Sequence, residues 1–212
     1  MTQFFLVRHG ETLWNLEGKI QGHLDSPLTK TGIAQAESLA VHLNSQNFAA
    51  LYSSDLGRAY ETARCISQKN GLPVFTEPRL RERNFGIFQG AVKKTLANQF
   101  LEASHYLQAH DPYYVIPEGE SLKQLSERCV NCLENLAQKH IGERILVVAH
   151  SGVFVSIFKH TLGIPLSAPR RFSSLNTSIN IFSYQDGVWM LEVWGDLSHL
   201  RYLNSMDDDS SE

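Results

Sequence analysis

Cysteine is scarce, with three in 212 residues, an odd number that builds no disulfide framework and points to a reducing compartment. Long apolar runs are missing as well. Phe4-Phe5-Leu6-Val7 is too short for the apolar region of a signal peptide, and no stretch approaches the roughly 18 apolar residues that would span a bilayer. The expectation is a soluble cytoplasmic protein with no membrane partner. Charge of one sign is also lacking. Nineteen Lys and Arg face 22 Asp and Glu, and four of those acids (Asp207, Asp208, Asp209 and Glu212) stand in the terminal tail. A near-neutral body offers no broad basic face for nucleic acid, so any anion must be met by a local cluster of cations. What is present is 42% hydrophobic residues against 19% charged, enough to bury a substantial core and unlike disordered or collagen-like chains.

The patterning alternates strands and helices. Gln3 to Val7 is a short apolar run ending abruptly in Arg-His-Gly, as a buried strand meets a loop. A helix follows from Thr29 to about Leu43, with Ile33, Ala36, Leu39, Ala40 and Leu43 on one face. Phe48 to Ser53 reads as a second strand, Leu56 to about Gln68 as a helix, and Pro73 to Phe75 as a short extended piece. Ala91 to Tyr114 is irregular, with a helical patch near Thr95 to Leu107 and a break at Asp111-Pro112. Ser121 to Lys139 is a long amphipathic helix, and Val153 to Leu162 another. Between them Arg144 to Ala149 has the uninterrupted apolar run of a strand covered on both faces. Ser178 to Tyr184 and Val188 to Trp194, joined through Asp186-Gly187, form a hairpin. The predicted fold is a doubly wound, three-layer α/β/α sandwich, mostly parallel with an antiparallel edge strand. Residues 1–204 are expected to form one domain and 205–212 a disordered acidic tail. Cys129 and Cys132 have the spacing of a zinc or redox pair, but without a second ligand pair they read as helix packing.

In open α/β sheets the binding crevice lies beyond the carboxyl ends of the strands. Two strand ends here carry a histidine, His9 in Leu6-Val-Arg-His-Gly and His150 in Val148-Ala-His-Ser-Gly. Alone, each reads equally well as a satisfied structural residue. Arg8 adjoins His9, and Arg58 opens the helix after the second strand; if that strand is parallel and adjacent to the first, Arg58 points into the same crevice. Two guanidiniums and two imidazoles converging there would form a site for a tetrahedral anion, because arginine's forked donors match phosphate oxygens.

Taken in order, these residues resemble a known family. Arg8-His9-Gly10-Glu11-Thr12, Asn15, Pro27-Leu28-Thr29 with Gly32, Tyr52-Ser53-Ser54 with Arg58-Ala59 and Thr62-Ala63, Leu80-Arg81-Glu82, and His150 are similar to the histidine phosphatase superfamily, which includes the cofactor-dependent phosphoglycerate mutases. The likeness runs from Phe4 to about His199. It implies that His9 is the nucleophile and carries a phosphohistidine, and that Arg8, Arg58 and His150 bind the phosphoryl oxygens. It further implies that Glu82 gives a proton to the leaving group and that no metal or other cofactor is needed. In the Arg79-Leu-Arg-Glu-Arg context, Glu82 also reads as an exposed carboxylate among three arginines, whose charge opposes an acid role. Asn15, Gln21, Gly22 and Ser151 are assigned to substrate binding, with turn readings for Asn15 and Gln21-Gly22 left open. Glu11 is read as orienting its own loop, and His199 as a surface residue rather than a pocket one.

Within the resemblance, water as acceptor makes a phosphatase and a retained bisphosphorylated intermediate makes a mutase. Between Asn84 and Glu127 the chain has no arginine and only Lys93, Lys94 and Lys123, a short and weakly basic cover that favours the phosphatase. Mutases resemble Phe-Thr-Gly-Trp where Ile20-Gln21-Gly22-His23 stands, and His-Gly-Asn-Ser where His150-Ser151-Gly152-Val153 stands. The expected partner is a small phosphomonoester, whose identity is open. Phosphoglycerate mutase is the alternative, and a non-catalytic phosphate-binding regulator is the reading from another class. A homodimer through an edge strand is compatible with the sequence and not required by it.

Overall fold

The computed structural model describes residues 1–100 and 111–201. Its six-stranded sheet comprises β1 (Thr2–Arg8), β2 (Ala50–Ser53), β3 (Val74–Thr76), β4 (Arg144–Ala149), β5 (Ile179–Gln185) and β6 (Val188–Asp196), in the order β3-β2-β4-β1-β5-β6. The helices are α1 (Leu13–Leu16), α2 (Lys30–Leu43), α3 (Gly57–Asn70), α4 (Leu96–Gln99), α5 (Leu122–Lys139) and α6 (Ser151–Leu162). The 205–212 tail and most of the helical patch expected at Thr95 to Leu107 lie outside the described residues.

Alternate residues of the parallel strands face opposite helical layers, because side chains alternate along a strand. Phe5, Val7, Leu51, Leu146 and Val148 pack against α2 and α3, while Phe4, Leu6, Tyr52, Ile145 and Val147 pack against α5 and α6. That is the expected three-layer arrangement. The antiparallel edge is there too: β5 runs against β1, and the edge strand β6 runs against β5 in the expected hairpin. One detail differs. The second strand in the chain is parallel to the first but not adjacent to it, since β4 lies between β1 and β2. That follows from crossover topology, which local patterning does not encode.

Two of the long helices start on side-chain caps. Thr29 accepts from the Gly32 N–H, and Ser121 forms a capping box with Gln124. Cys129 and Cys132 lie in the core on the inner face of α5, where burial pushes the Cys132 thiol up to about 12, consistent with packing. A smaller apolar cluster of Ile20, Phe85, Phe88 and Ile116 supports the irregular region between β3 and α5. Among the described residues, no helix is long and apolar enough to cross a membrane.

Candidate active site

Strand register builds the site. Arg8 lies opposite Ala149 in the parallel pairing of β1 and β4, and Ser53 lies opposite Val148 in that of β2 and β4. The three strands therefore stop at nearly one level, and the His9 N–H donates to the Ala149 carbonyl at 3.1 Å. The His9 and His150 rings end 5.3 Å apart, centre to centre. The loop after β1 is pressed against α2, since a Cβ on Gly32 would lie 2.0 Å from the Glu11 carbonyl oxygen. The buried Glu11 carboxylate accepts from the Thr29 hydroxyl at 2.6 Å, so it ties this loop to the α2 cap.

His9 Nδ1 stands 2.8 Å from the Gly10 carbonyl oxygen, which can only accept, so Nδ1 carries the proton and Nε2 keeps its lone pair. Arg8 is buried and donates to the Ser174 carbonyl at 2.5 Å. Asn176 Nδ2 donates to the His9 carbonyl at 2.9 Å, so the segment before β5 braces both residues. Arg58 is also buried. Its Nη1 donates to the Leu24 carbonyl at 2.9 Å and to Asp25 Oδ1 at 2.8 Å, and its Nη2 to the Gly22 carbonyl at 2.8 Å. Arg58 Nε is buried with no acceptor among the described residues. His150 is fully enclosed, with Nε2 2.8 Å from the Ser54 hydroxyl oxygen and Nδ1 without a partner among the described residues. Burial first, then Arg58, His9 and Arg8, hold its pKa well below 6.5, so its ring is neutral.

Arg8, His9, Arg58 and Glu82 line one cleft, together with Asn15, Gln21 and Gly22. Asn15 commits its Oδ1 to the Thr12 capping box, which leaves its amide N–H groups for the cleft. The enclosed His150 is beside His9 but is not among the residues lining the cleft, and Ser151 does not line it either; the Ser151 hydroxyl accepts from Arg170 Nη1 at 3.1 Å, where a sequence neighbour of His150 was expected to touch substrate. His199 does not line the cleft either and lies 3.4 Å from the Thr177 hydroxyl. Lys19 was missed. It sits on the rim opposite Lys93, brought there by an antiparallel bridge between Lys19 and Val92, a pairing across more than 70 residues with no local signal.

The three arginines around Glu82 have partners of their own. Arg79 pairs with Glu77, Arg81 with Asp55, and Arg83 reaches the Glu120 carbonyl. Glu82 Oε1 instead accepts from the Arg83 N–H at 2.7 Å and from the Gly152 N–H at 3.1 Å, the latter at the start of α6. The exposed-carboxylate reading therefore fails. The close approach depends on Gly152, where a Cβ would lie 2.1 Å from Glu82 Oε1. Among the described residues, no three His, Cys, Asp or Glu side chains gather as a metal site requires.

Comparison with known proteins places this geometry. The family model of the histidine phosphatase superfamily, branch 1, matches residues 4–197. Phosphoglycerate mutase-like protein 4 of Arabidopsis thaliana is 44% identical over 203 residues, covering 94% of this chain and 87% of that one. The solved structure of Bacillus stearothermophilus YhfR superposes with a TM-score of 0.87 at 31% identity, covering 94% of this chain and 99% of that one. A mycobacterial glucosyl-3-phosphoglycerate phosphatase in complex with VO3 superposes at 0.81 with 28% identity, covering 91% and 98%. This chain belongs to the histidine phosphatase superfamily, and its neighbours include both phosphatases and phosphoglycerate mutase-like proteins.

Proposed function

We propose that the protein is a metal-independent phosphomonoesterase acting on a small phosphorylated metabolite through a phosphohistidine at His9. The carrying observation is that a histidine protonated on Nδ1, and so nucleophilic at Nε2, shares one cleft with two buried arginines and a held carboxylate. Arg58 Nε and His150 Nδ1, both buried without an acceptor, are the donors a phosphoryl group would satisfy.

In the first step His9 Nε2 forms a bond to phosphorus as the bond to the ester oxygen breaks. The departing oxygen takes the proton from Glu82. In the second step water attacks the phosphohistidine and gives a proton to the Glu82 carboxylate. The N–P bond breaks, releasing inorganic phosphate and neutral His9. The charge spread over the transferring oxygens is met by Arg8, Arg58 and the His150 Nδ1–H, left as a donor when Nε2 accepts from Ser54. The rim favours water as acceptor. Of its two lysines, Lys19 is already paired with Glu17 at 2.6 Å, which leaves little charge for a molecule bearing two phosphates.

Glu82→Gln is expected to slow hydrolysis of an alkyl phosphate by about 100-fold while changing p-nitrophenyl phosphate little, because p-nitrophenolate leaves without a proton. An equal loss on both esters removes the acid role. Gly152→Ala is expected to reproduce this selectivity in weaker form, about tenfold, by displacing the carboxylate. The helix itself gains from alanine, so thermal unfolding of that variant serves as the control. Turnover across a panel of phosphomonoesters ranks the substrates. Conversion of 3-phosphoglycerate to its 2-isomer, primed by 2,3-bisphosphoglycerate and faster than phosphate release, would replace hydrolysis by the mutase reaction. Absence of any phosphate release would support the non-catalytic reading.

A further inference from the structure

The Glu82–Arg83 peptide has an unusual setting. Its N–H holds the Glu82 carboxylate at 2.7 Å, while its carbonyl oxygen accepts from His23 Nε2 at 2.9 Å and from Arg128 Nη2 at 3.2 Å. The carbonyl can only accept, so His23 carries its proton on Nε2. Arg128 is fixed in turn by Glu120 and by the Arg79 and Arg81 carbonyls. His23 comes from the other side of the cleft, from the loop whose Gly22 and Leu24 carbonyls hold Arg58. Its own backbone N–H is clipped by Gln89 Oε1 at 2.5 Å, so the imidazole is presented on an anchored backbone. Burial holds its pKa below 6.5, and the ring is neutral at pH 7. Two donors on a carbonyl fix the peptide plane and polarise its N–H, because hydrogen bonds in series strengthen one another.

We propose that His23 is a positioning residue for Glu82: by fixing the Glu82–Arg83 peptide it aims the Arg83 N–H at the carboxylate and so holds the proton donor against the leaving oxygen. The assignment rests on Glu82 being the acid of the reaction above. It also links the two sides of the cleft, since the loop that orients Arg58 orients the acid as well.

The test compares His23→Phe, which keeps a ring and removes the donor, with His23→Gln, which keeps an N–H at similar reach. His23→Phe is expected to lower kcat for an alkyl phosphate by about tenfold, with KM and p-nitrophenyl phosphate turnover within about twofold of the parent, and His23→Gln to restore most of the loss. In a Glu82→Gln background His23→Phe should add nothing, since the group it positions is gone. Equal loss on both esters with a raised KM would show action through Arg58 and overturn the proposal, as would parental kinetics in His23→Phe. If Glu82→Gln is unselective, the acid reading and this one fall together. If Glu82→Gln is selective and His23→Phe is not, only this one falls. Should His23→Phe not fold, His23→Asn, one methylene too short to reach, takes its place, and parental activity there overturns the proposal.

Discussion

His9→Ala is expected to lower kcat by on the order of 10⁵-fold while leaving the fold in place. The chemical part follows from the proposed two-step reaction: with no imidazole there is no covalent intermediate, and removing the group that carries such an intermediate costs nearly the whole rate enhancement. The structural part follows from where the ring sits. His9 lies beyond the last residue of β1, and its Nδ1 bonds to the Gly10 carbonyl beside it, so truncation leaves the ladder between β1 and β4 whole. A lost side-chain hydrogen bond costs about 1 kcal/mol, well within the stability of a domain of this size. The parent, quenched during turnover of a labelled ester, should hold phosphate that survives alkali and is lost in acid, as a phosphoramidate does. His9→Ala should hold none. Label on a serine or cysteine, stable to acid, would sink the mechanism.

Arg58→Ala is expected to lower kcat/KM by on the order of 10³-fold or more, and Arg58→Lys to recover only part of it. Arginine offers five N–H donors. Three are engaged by the Gly22 and Leu24 carbonyls and by Asp25, which leaves Nε and one Nη2 hydrogen for the phosphoryl group. A lysine ammonium cannot hold the loop and the phosphoryl oxygens at once. Its loss is expected in both KM and kcat, because the same donors bind the ground state and meet the charge of the transition state. A change confined to KM would show that Arg58 binds substrate without assisting transfer. Because the guanidinium is buried, folding is checked by near-UV circular dichroism in each variant.

The periodic signals in the chain were sufficient for the layers. Phe4 to Val7 in β1 and Ile145 to Ala149 in β4 are apolar without interruption because both their faces are covered, and α2 and α5 carry one apolar stripe because one face is. The ordered motif residues likewise mark Arg8, His9, Arg58 and Glu82, which the fold brings into one cleft. The failures share a cause. The place of β4 between β1 and β2, the bridge that brings Lys19 to the rim and the contact of Gly152 with Glu82 all join segments far apart in the chain, so no window of sequence contains both partners. Ser151 failed differently: adjacency to His150 suggested a substrate contact, but the hydroxyl is taken by Arg170 from beyond α6. The environment of Glu82 was misjudged because three neighbouring arginines were counted by sequence distance, whereas each has its own partner elsewhere.

The sheet order separates two kinds of side chain by the support beneath them. His9 follows a strand laddered on both sides, whereas Phe85 and Lys93 belong to single 3-10 turns held by a small apolar cluster and one isolated bridge. Substitutions of the side chains in that segment that lie outside its cluster would cost little cooperativity and would leave the His9 imidazole where it is. Under the proposed reaction, descendants of this chain can therefore trade one ester for another while the bond-breaking apparatus stays unaltered, a division that lets substrate preference diverge faster than chemistry.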